Sequence, residues 1–358
     1  MPEPTVQSDP AITEFCRQLN AGPSDLVETI ESFKDLKVLV IGDTIFDRYA
    51  YVSVQGLTSK NRIISGRYLN EESQCGGALA VMRHVLQFCP NSRFISLVGK
   101  EDWVDPTLAE VLDPEHDCVL REDSFTTIIK QRFVEPMSEG KELSKLFSVN
   151  FIDAEAPEED VLQRLHDRIA EEIAKADVVL VTDFGHGMMQ PAIRDLVQDK
   201  SPYLCLNCQT NSNNHGFNII SRQYRKAQSF TLDKQELLLS CGHRHVDFAE
   251  EIDLLRKFLS AEYGWLTRGP VETIGNRNGD DVSFCPPLER EVIDTIGAGD
   301  AFFSVAALAA ARQLPADMAT FIGQLAGAQA VRIVGNVQSI SKDVLLKTGT
   351  SLLESVAK

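Results

Sequence analysis

The sequence predicts an α/β protein, and three observations carry that prediction. Lys37-Val38-Leu39-Val40-Ile41, Phe94 to Gly99 and Val178 to Asp183 are apolar runs with no polar alternation. They read as buried parallel strands, the first and last ending at aspartates on a functional edge. Helix-like runs separate them, among them an acidic one from Glu158 to Lys175. Alternating segments at Tyr49 to Asn70, Thr126 to Glu135 and Lys145 to Phe151 read instead as short strands of a small sheet outside the main fold.

Composition bounds the partners. The chain has 358 residues, enough for a large core, and a formal charge of −17 from 35 basic and 52 acidic residues. Such a field repels nucleic-acid backbones and anionic membranes, so any phosphate must be held by local amides, a divalent cation and a few placed basic residues. No apolar window is long enough to span a bilayer, and the opening MPEPTVQSDP lacks the basic and apolar regions of a signal peptide. The eight cysteines have no repeating spacing, which suits buried thiols in a reducing cytoplasm. Cys205 and Cys208 form a lone C-x-x-C after a strand-like run and read as core thiols.

In chain order, residues 1–35 read as a polar lead with one or two amphipathic helices, whose apolar edge is Phe15, Leu19, Leu26 and Ile30. The first strand closes on Gly42-Asp43 and continues into Asp47-Arg48-Tyr49; the G-x-G-x-x-G of a dinucleotide fold is absent there. Gly76-Gly77-Ala78 opens a helix-like run to Phe88. After Asp183 comes Phe184-Gly185-His186-Gly187, with His186 a loop residue. The stretch Asn207 to Asn218 is dense in amides and reads as a hydrogen-bonded loop, Asn207 being its one phosphate-side candidate. Leu314 to Gly335 reads as one helix, whose Gly327, Ala328 and Ala330 suit either a flat slot for adenine or close helix packing.

The most informative stretch is Ile293-Asp294-Thr295-Ile296-Gly297-Ala298-Gly299-Asp300, followed at once by the apolar run from Ala301. Two bare glycines at the start of a helix leave peptide N–H groups exposed beside the positive end of the helix dipole, which makes an anion site. A carboxylate beside it can accept a proton from an attacking hydroxyl while those amides stabilise a transferring phosphoryl group.

Asp294 to Phe303 resemble the D-T-x-G-A-G-D signature of the PfkB or ribokinase-like carbohydrate kinases, and the resemblance extends over roughly Lys37 to Lys347. It implies a ribokinase-like three-layer α/β/α fold with a mostly parallel central sheet and a small β-sheet lid. The division it suggests is an N-terminal helical extension over 1–35 and a kinase domain over 36–358, the lid drawn from about 49–72 and 124–152. It also implies Asp300 as catalytic base and the amides of Gly297, Ala298 and Gly299 as anion hole. Asp47, Gly76, Gly77, Lys130, Arg132 and Asp183 fall to the substrate side. Asn207, Glu236, Thr267, Gly269, Asp294, Thr295 and Gly327 fall to the nucleotide side, with Glu236 holding hydrated Mg2+. ATP and Mg2+ are the expected cofactors, a monovalent cation is a further candidate, and a homodimer through the lid is expected.

The Gly42 to Tyr49 and Asp183 to Gly187 strings are similar to the heptose-phosphate kinase branch, although residues 56–62 lack its S-P-E-A-P-type string and no H-x-G-H nucleotidyl-transfer motif occurs. Ala80 and Asp233 stand where the family pattern has asparagine, and Asp102 is offset by one residue from a family aspartate. The expected reaction is ATP-dependent phosphorylation of a sugar or sugar phosphate. A kinase for another sugar or a nucleoside, or a catalytically impaired kinase-like binding or regulatory protein, is the alternative.

Overall fold

The computed structural model describes residues 9–136, 143–153 and 155–356. The opening residues 1–8 of the expected extension, and 137–142 and 154 around the expected lid, lie outside that range. The chain opens with helices α1 (Pro10–Gln18) and α2 (Pro23–Ser32), followed by strands β1 (Val38–Gly42), β2 (Thr44–Leu57) and β3 (Ile64–Gly77) and helix α3 (Ala78–Leu86). Next come β4 (Arg93–Ile95), β5 (Leu97–Val98), α4 (Val104–Ala109), β6 (Leu120–Arg121), β7 (Ile128–Pro136), β8 (Leu143–Phe151) and α5 (Glu159–Ile173). The central part holds β9 (Val178–Asp183), α6 (Pro191–Lys200), β10 (Leu204–Cys208), α7 (Ile220–Gln223), β11 (Ser229–Asp233), α8 (Lys234–Cys241) and α9 (Phe248–Phe258). The last part holds β12 (Tyr263–Thr267), β13 (Thr273–Arg277), β14 (Ser283–Cys285), α10 (Ala298–Ala311), α11 (Ala316–Ala330) and α12 (Lys342–Val356).

Eight strands form the main sheet in the order β14-β13-β12-β11-β10-β9-β1-β4. All pairs from β12 to β4 are parallel, and β13 and β14 add an antiparallel edge. The continuous apolar runs are explained by burial on both faces. Val38 and Val40 enter a core with α1, α2, α3, α10, α11 and α12, while Leu39 and Ile41 enter a second core with α5, α6 and α9. Phe15, Leu26 and Ile30 of the first two helices belong to the first core, where Phe15 lies 6.3 Å from Phe321.

Two sequence-based boundaries shift. The expected strand from Phe94 to Gly99 breaks after Ile95, because the Ser96 hydroxyl donates to the Gly42 carbonyl (2.7 Å) and accepts from the Thr44 N–H (2.9 Å). Leu97 and Val98 then pair with Leu120 and Arg121 instead. The expected helix to Gly335 ends at Ala330, since the Val331 carbonyl turns to accept from the N–H groups of Ile293 and Asp294.

The second sheet has the order β3-β2-β7-β8, with β2 and β7 parallel and both outer pairs antiparallel. Register places Asp47 opposite Lys130 and Tyr49 opposite Arg132, so these four side chains share one face. Phe133 lies opposite Phe147 on the other face, their rings stacked 4.5 Å apart. Asn150 of β8 donates to Asn213 (3.1 Å), and Lys145 comes within 3.6 Å of Asp294, so the inner face of this sheet meets the edges of the cleft. Among the described residues, no helix is long and apolar enough to cross a membrane.

Candidate active site

The cleft is assembled where the parallel strands end and α10 begins. Gly297 is the N-cap of α10 at φ +79°, a left-handed conformation that suits glycine, and a Cβ there would stand 2.3 Å from Asn336 Oδ1. At Gly299 an added Cβ would meet no atom within 4 Å, so the space in front of it is the cavity itself. The first-turn amides of a helix lack intrahelical acceptors. The N–H of Ala298 reaches the Thr295 carbonyl only at 3.4 Å, and among the described residues those of Gly297, Gly299 and Asp300 meet no acceptor. Three bare donors at a helix N-terminus therefore face a cavity of about 1050 Å³.

Asp294 shapes this turn rather than lining the cavity. Its carboxylate accepts from the N–H of Ile296 (3.2 Å) and of Gly335 (3.0 Å), tying the loop before α10 to the chain after α11. Thr295 lines the cavity, together with Asn207, Glu236, Thr267, Gly269, Gly297 to Asp300 and Gly327. Of the residues expected on the nucleotide side, all but Asp294 are thus brought to one space. Gly327 faces Ala298 and Phe302 at ordinary van der Waals distance, and so lies over the start of α10.

Asp300 is half-buried at the floor of the cavity. Burial raises its pKa to about 6; the Gln209 amide, donating to Oδ1 at 2.9 Å, pulls it down, Asp47 pushes it up and Lys130 pulls it down. Gln209 lay in the amide-dense stretch read only as a loop. Nothing in its local sequence marked it, because its partner is 91 residues away.

On the side of the second sheet, Asp47 is buried and receives the Arg132 guanidinium, which also lies over the Tyr49 ring at 5.4 Å. Lys130 is largely buried, its pKa lowered first by burial and raised in part by Asp47, with its Nζ 5.9 Å from the Phe184 ring centroid. Gly76 and Gly77 sit beside this group. A Cβ at 76 would come 2.4 Å from Asp47 Oδ2, and Gly77, at φ +60°, leaves room for the Asp43 carbonyl. The structure adds Asp43, read from the sequence only as the end of the first strand. It is buried, its pKa is pushed up to about 7 by burial and by Asp183, and its Oδ1 has no hydrogen-bond partner among the described residues. His186 is buried with its pKa lowered to about 3 by burial and by Lys130, so it stays neutral there, consistent with a loop residue.

One expected substrate residue is placed elsewhere. Asp183 is fully buried and already accepts from the Gly185 N–H (2.9 Å), Arg194 (2.9 Å), Tyr224 (2.8 Å) and Asn218 (3.1 Å). Its oxygens are consumed by a structural network behind the cleft, which corrects its assignment to the substrate side. Asp102, by contrast, is exposed, and the inward carboxylate is Glu101, which accepts from the N–H and hydroxyl of Thr127. Cys205 and Cys208 are buried free thiols.

Glu236 is buried and completes a capping box with Asp233 at the start of α8. Its Oε2 accepts from the Asp233 N–H (2.9 Å), its Oε1 from the Thr210 N–H (3.1 Å), and Asp233 accepts in return from the Glu236 N–H (2.8 Å). An asparagine oxygen could cap equally well, so aspartate at 233 keeps the local structure and adds charge. Burial, then Asp233, raise Glu236 to about 8. Two hard oxygen donors under mutual repulsion, at the rim of the cavity, fit a hydrated divalent cation.

Solved structures share this architecture. A phosphofructokinase-2 variant from Escherichia coli superimposes with a TM-score of 0.69 over 88% of this chain and 99% of that one, at 13% identity. A ribokinase from Thermotoga maritima gives 0.65 over 87% and 99%, at 14% identity. The fold is ribokinase-like. Residues 220–343 match the model described as pfkB family carbohydrate kinase. Curated relatives include the bifunctional protein HldE of Acidiphilium cryptum, 25% identical over 346 residues (90% of this chain, 65% of that protein). That of Pseudomonas aeruginosa is 27% identical over 292 residues (79% and 58%). The chain spans less than two thirds of the length of these relatives, 65% of one and 58% of the other. The chain is thus similar to a pfkB family carbohydrate kinase over residues 220–343 and to HldE proteins over most of its length.

Proposed function

We propose that this protein transfers the γ-phosphoryl group of ATP to a hydroxyl of a sugar phosphate, in the manner of a heptose-phosphate kinase. The observation that carries the reading is the meeting of the Asp300 carboxylate with unpartnered helix-start amides on one cavity. In this reading Asp300 takes the proton of the attacking hydroxyl, and the Gly297, Ala298 and Gly299 amides receive charge from the transferring group. Asp47, held by Arg132, accepts a sugar hydroxyl, and Gly76 and Gly77 let the acceptor approach the backbone. Lys130 and Arg132 share the inner face of the lid and suit an acceptor that carries its own phosphate. The cavity between Thr267-Gly269 and Gly327 takes the nucleotide. Mg2+, held through water by Glu236 with Asp233 beside it, would neutralise phosphate charge. A monovalent cation remains a candidate.

The test is Mg2+-dependent ATP consumption across sugars, sugar phosphates and nucleosides. Turnover selective for a sugar phosphate supports the reading. Turnover only with unphosphorylated acceptors moves the substrate class, and none at all favours a kinase-shaped binding protein.

A homodimer through the lid belongs to the same proposal. Phe147, Val149 and Phe151 alternate along edge strand β8, all exposed on the face away from the cleft, and Ile64, Tyr68 and Leu69 are exposed on the opposite edge strand. Light scattering should give twice the chain mass for the wild type and a monomer for Phe147→Lys with Phe151→Lys; a monomeric wild type would overturn it.

A further inference from the structure

We propose that Gln209 is the positioning residue of the catalytic base: its side-chain amide bridges Asn207 and Asp300, engaging one carboxylate oxygen of Asp300 and leaving the other to the acceptor hydroxyl. This rests on the kinase reading for its function, but on geometry for its existence. The polarity of the bridge is fixed from behind. Asn207 Nδ2 points to the Thr231 carbonyl (3.3 Å) and hydroxyl (2.9 Å), and a main-chain carbonyl accepts only. Asn207 must therefore present its Oδ1 forward, and Gln209 Nε2 donates to it at 2.7 Å. The same nitrogen has a second hydrogen, and it goes to Asp300 Oδ1 at 2.9 Å. A chain anchored on the backbone of β11 thus dictates that Asp300 meets a donor.

Two consequences follow for the base. Engaging Oδ1 limits rotation of the carboxylate, so Oδ2 has a defined direction at the moment of transfer. A donor also favours the ionised form that a base requires, against the burial that opposes it. The charged groups acting on Asp300 come from three elements: Asp47 of β2 and Glu236 of α8 repel its charge, and Lys130 of β7 attracts it. Gln209 is the neutral donor among them, and its neutrality keeps the carboxylate basic enough to take a proton. Asn207 lies in β10 and Gln209 just past its end, where the Gln209 N–H donates to the Asp183 carbonyl (2.9 Å), so main-chain contacts hold both members of the bridge.

The experiment compares wild type, Gln209→Leu and Gln209→Lys by the acid limb of the kcat/KM–pH profile. Carboxyl 13C NMR titration of Asp300 runs in parallel, the signal assigned by its loss in Asp300→Asn. Leucine removes the donor and should move both readouts up by roughly one pH unit. Lysine restores a donor and adds positive charge, and should move both down. Opposite shifts are not expected of a residue that only fills space, and the lysine variant alone decides the matter where the leucine variant does not fold. A titration unmoved in both variants overturns the proposal even where wild type turns over. Shifted titrations without turnover by any variant sink the kinase reading and leave the bridge standing.

Discussion

Asp183 and Asp300 look alike in sequence, each beside glycines at the end of an apolar element or the start of another, and their partners make them different. Asp183 is surrounded by four donors and offers nothing to a ligand, whereas Asp300 has one donor and an open side. Removing Asp183 leaves the Arg194 guanidinium buried beside Tyr224 without its anion. Asp183→Ala should therefore lower stability by about 3–5 kcal/mol in denaturant unfolding while leaving the acceptor KM of the folded fraction near wild type. A raised KM with unchanged stability would return Asp183 to the substrate side. Asp300 predicts the opposite balance. A carboxyl with a pKa of about 6 works as a base only once ionised, so kcat/KM should fall as pH drops through that value. A profile flat down to pH 4.5 would contradict that role.

At the scale of elements, short strings were legible wherever the chain's own geometry makes the feature. Gly297 to Asp300 announce a left-handed turn and a helix start, and Asp233 to Glu236 announce a capping box, because each device lies within four residues. The small second sheet was legible as alternation, yet the partners Asp47 and Arg132 come from strands whose pairing no local pattern dictates. Gln209 was missed for the same reason, Asp43 was read only as a strand end, and the helix after Leu314 was overextended because its stop is made by Ile293 and Asp294 from far upstream. The α8 cap yields a direct check. Asp233→Asn should keep both stability and turnover, while Asp233→Ala should cost about 1 kcal/mol and weaken the Mg2+ response. Equal losses in both variants would mean that the charge, not the cap, is what matters.

Across the whole molecule, acidic excess and buried carboxylates act together. Glu236, Asp43 and Asp300 have folded pKa values of about 8, 7 and 6, all raised first by burial, against ordinary values near 4 in an unfolded chain. The folded state therefore takes up these protons before the unfolded state does, so acidification from about pH 8 toward 5 favours folding. Thermal melts without Mg2+ should show Tm rising over that window. Mg2+ should raise Tm more at pH 8 than at pH 5, where Glu236 is protonated. A Tm that falls steadily from pH 8 to 5 would contradict this picture of the cleft.

The most direct measurement is the turnover of Asp300→Asn at saturating Mg2+-ATP and acceptor. Loss of roughly two to four orders of magnitude in kcat, in a variant that melts no lower than wild type at neutral pH, is the result expected of a positioned base. Retention of most of the wild-type rate would mean that the proton of the acceptor leaves by another route, and the site would have to be rebuilt around a different group.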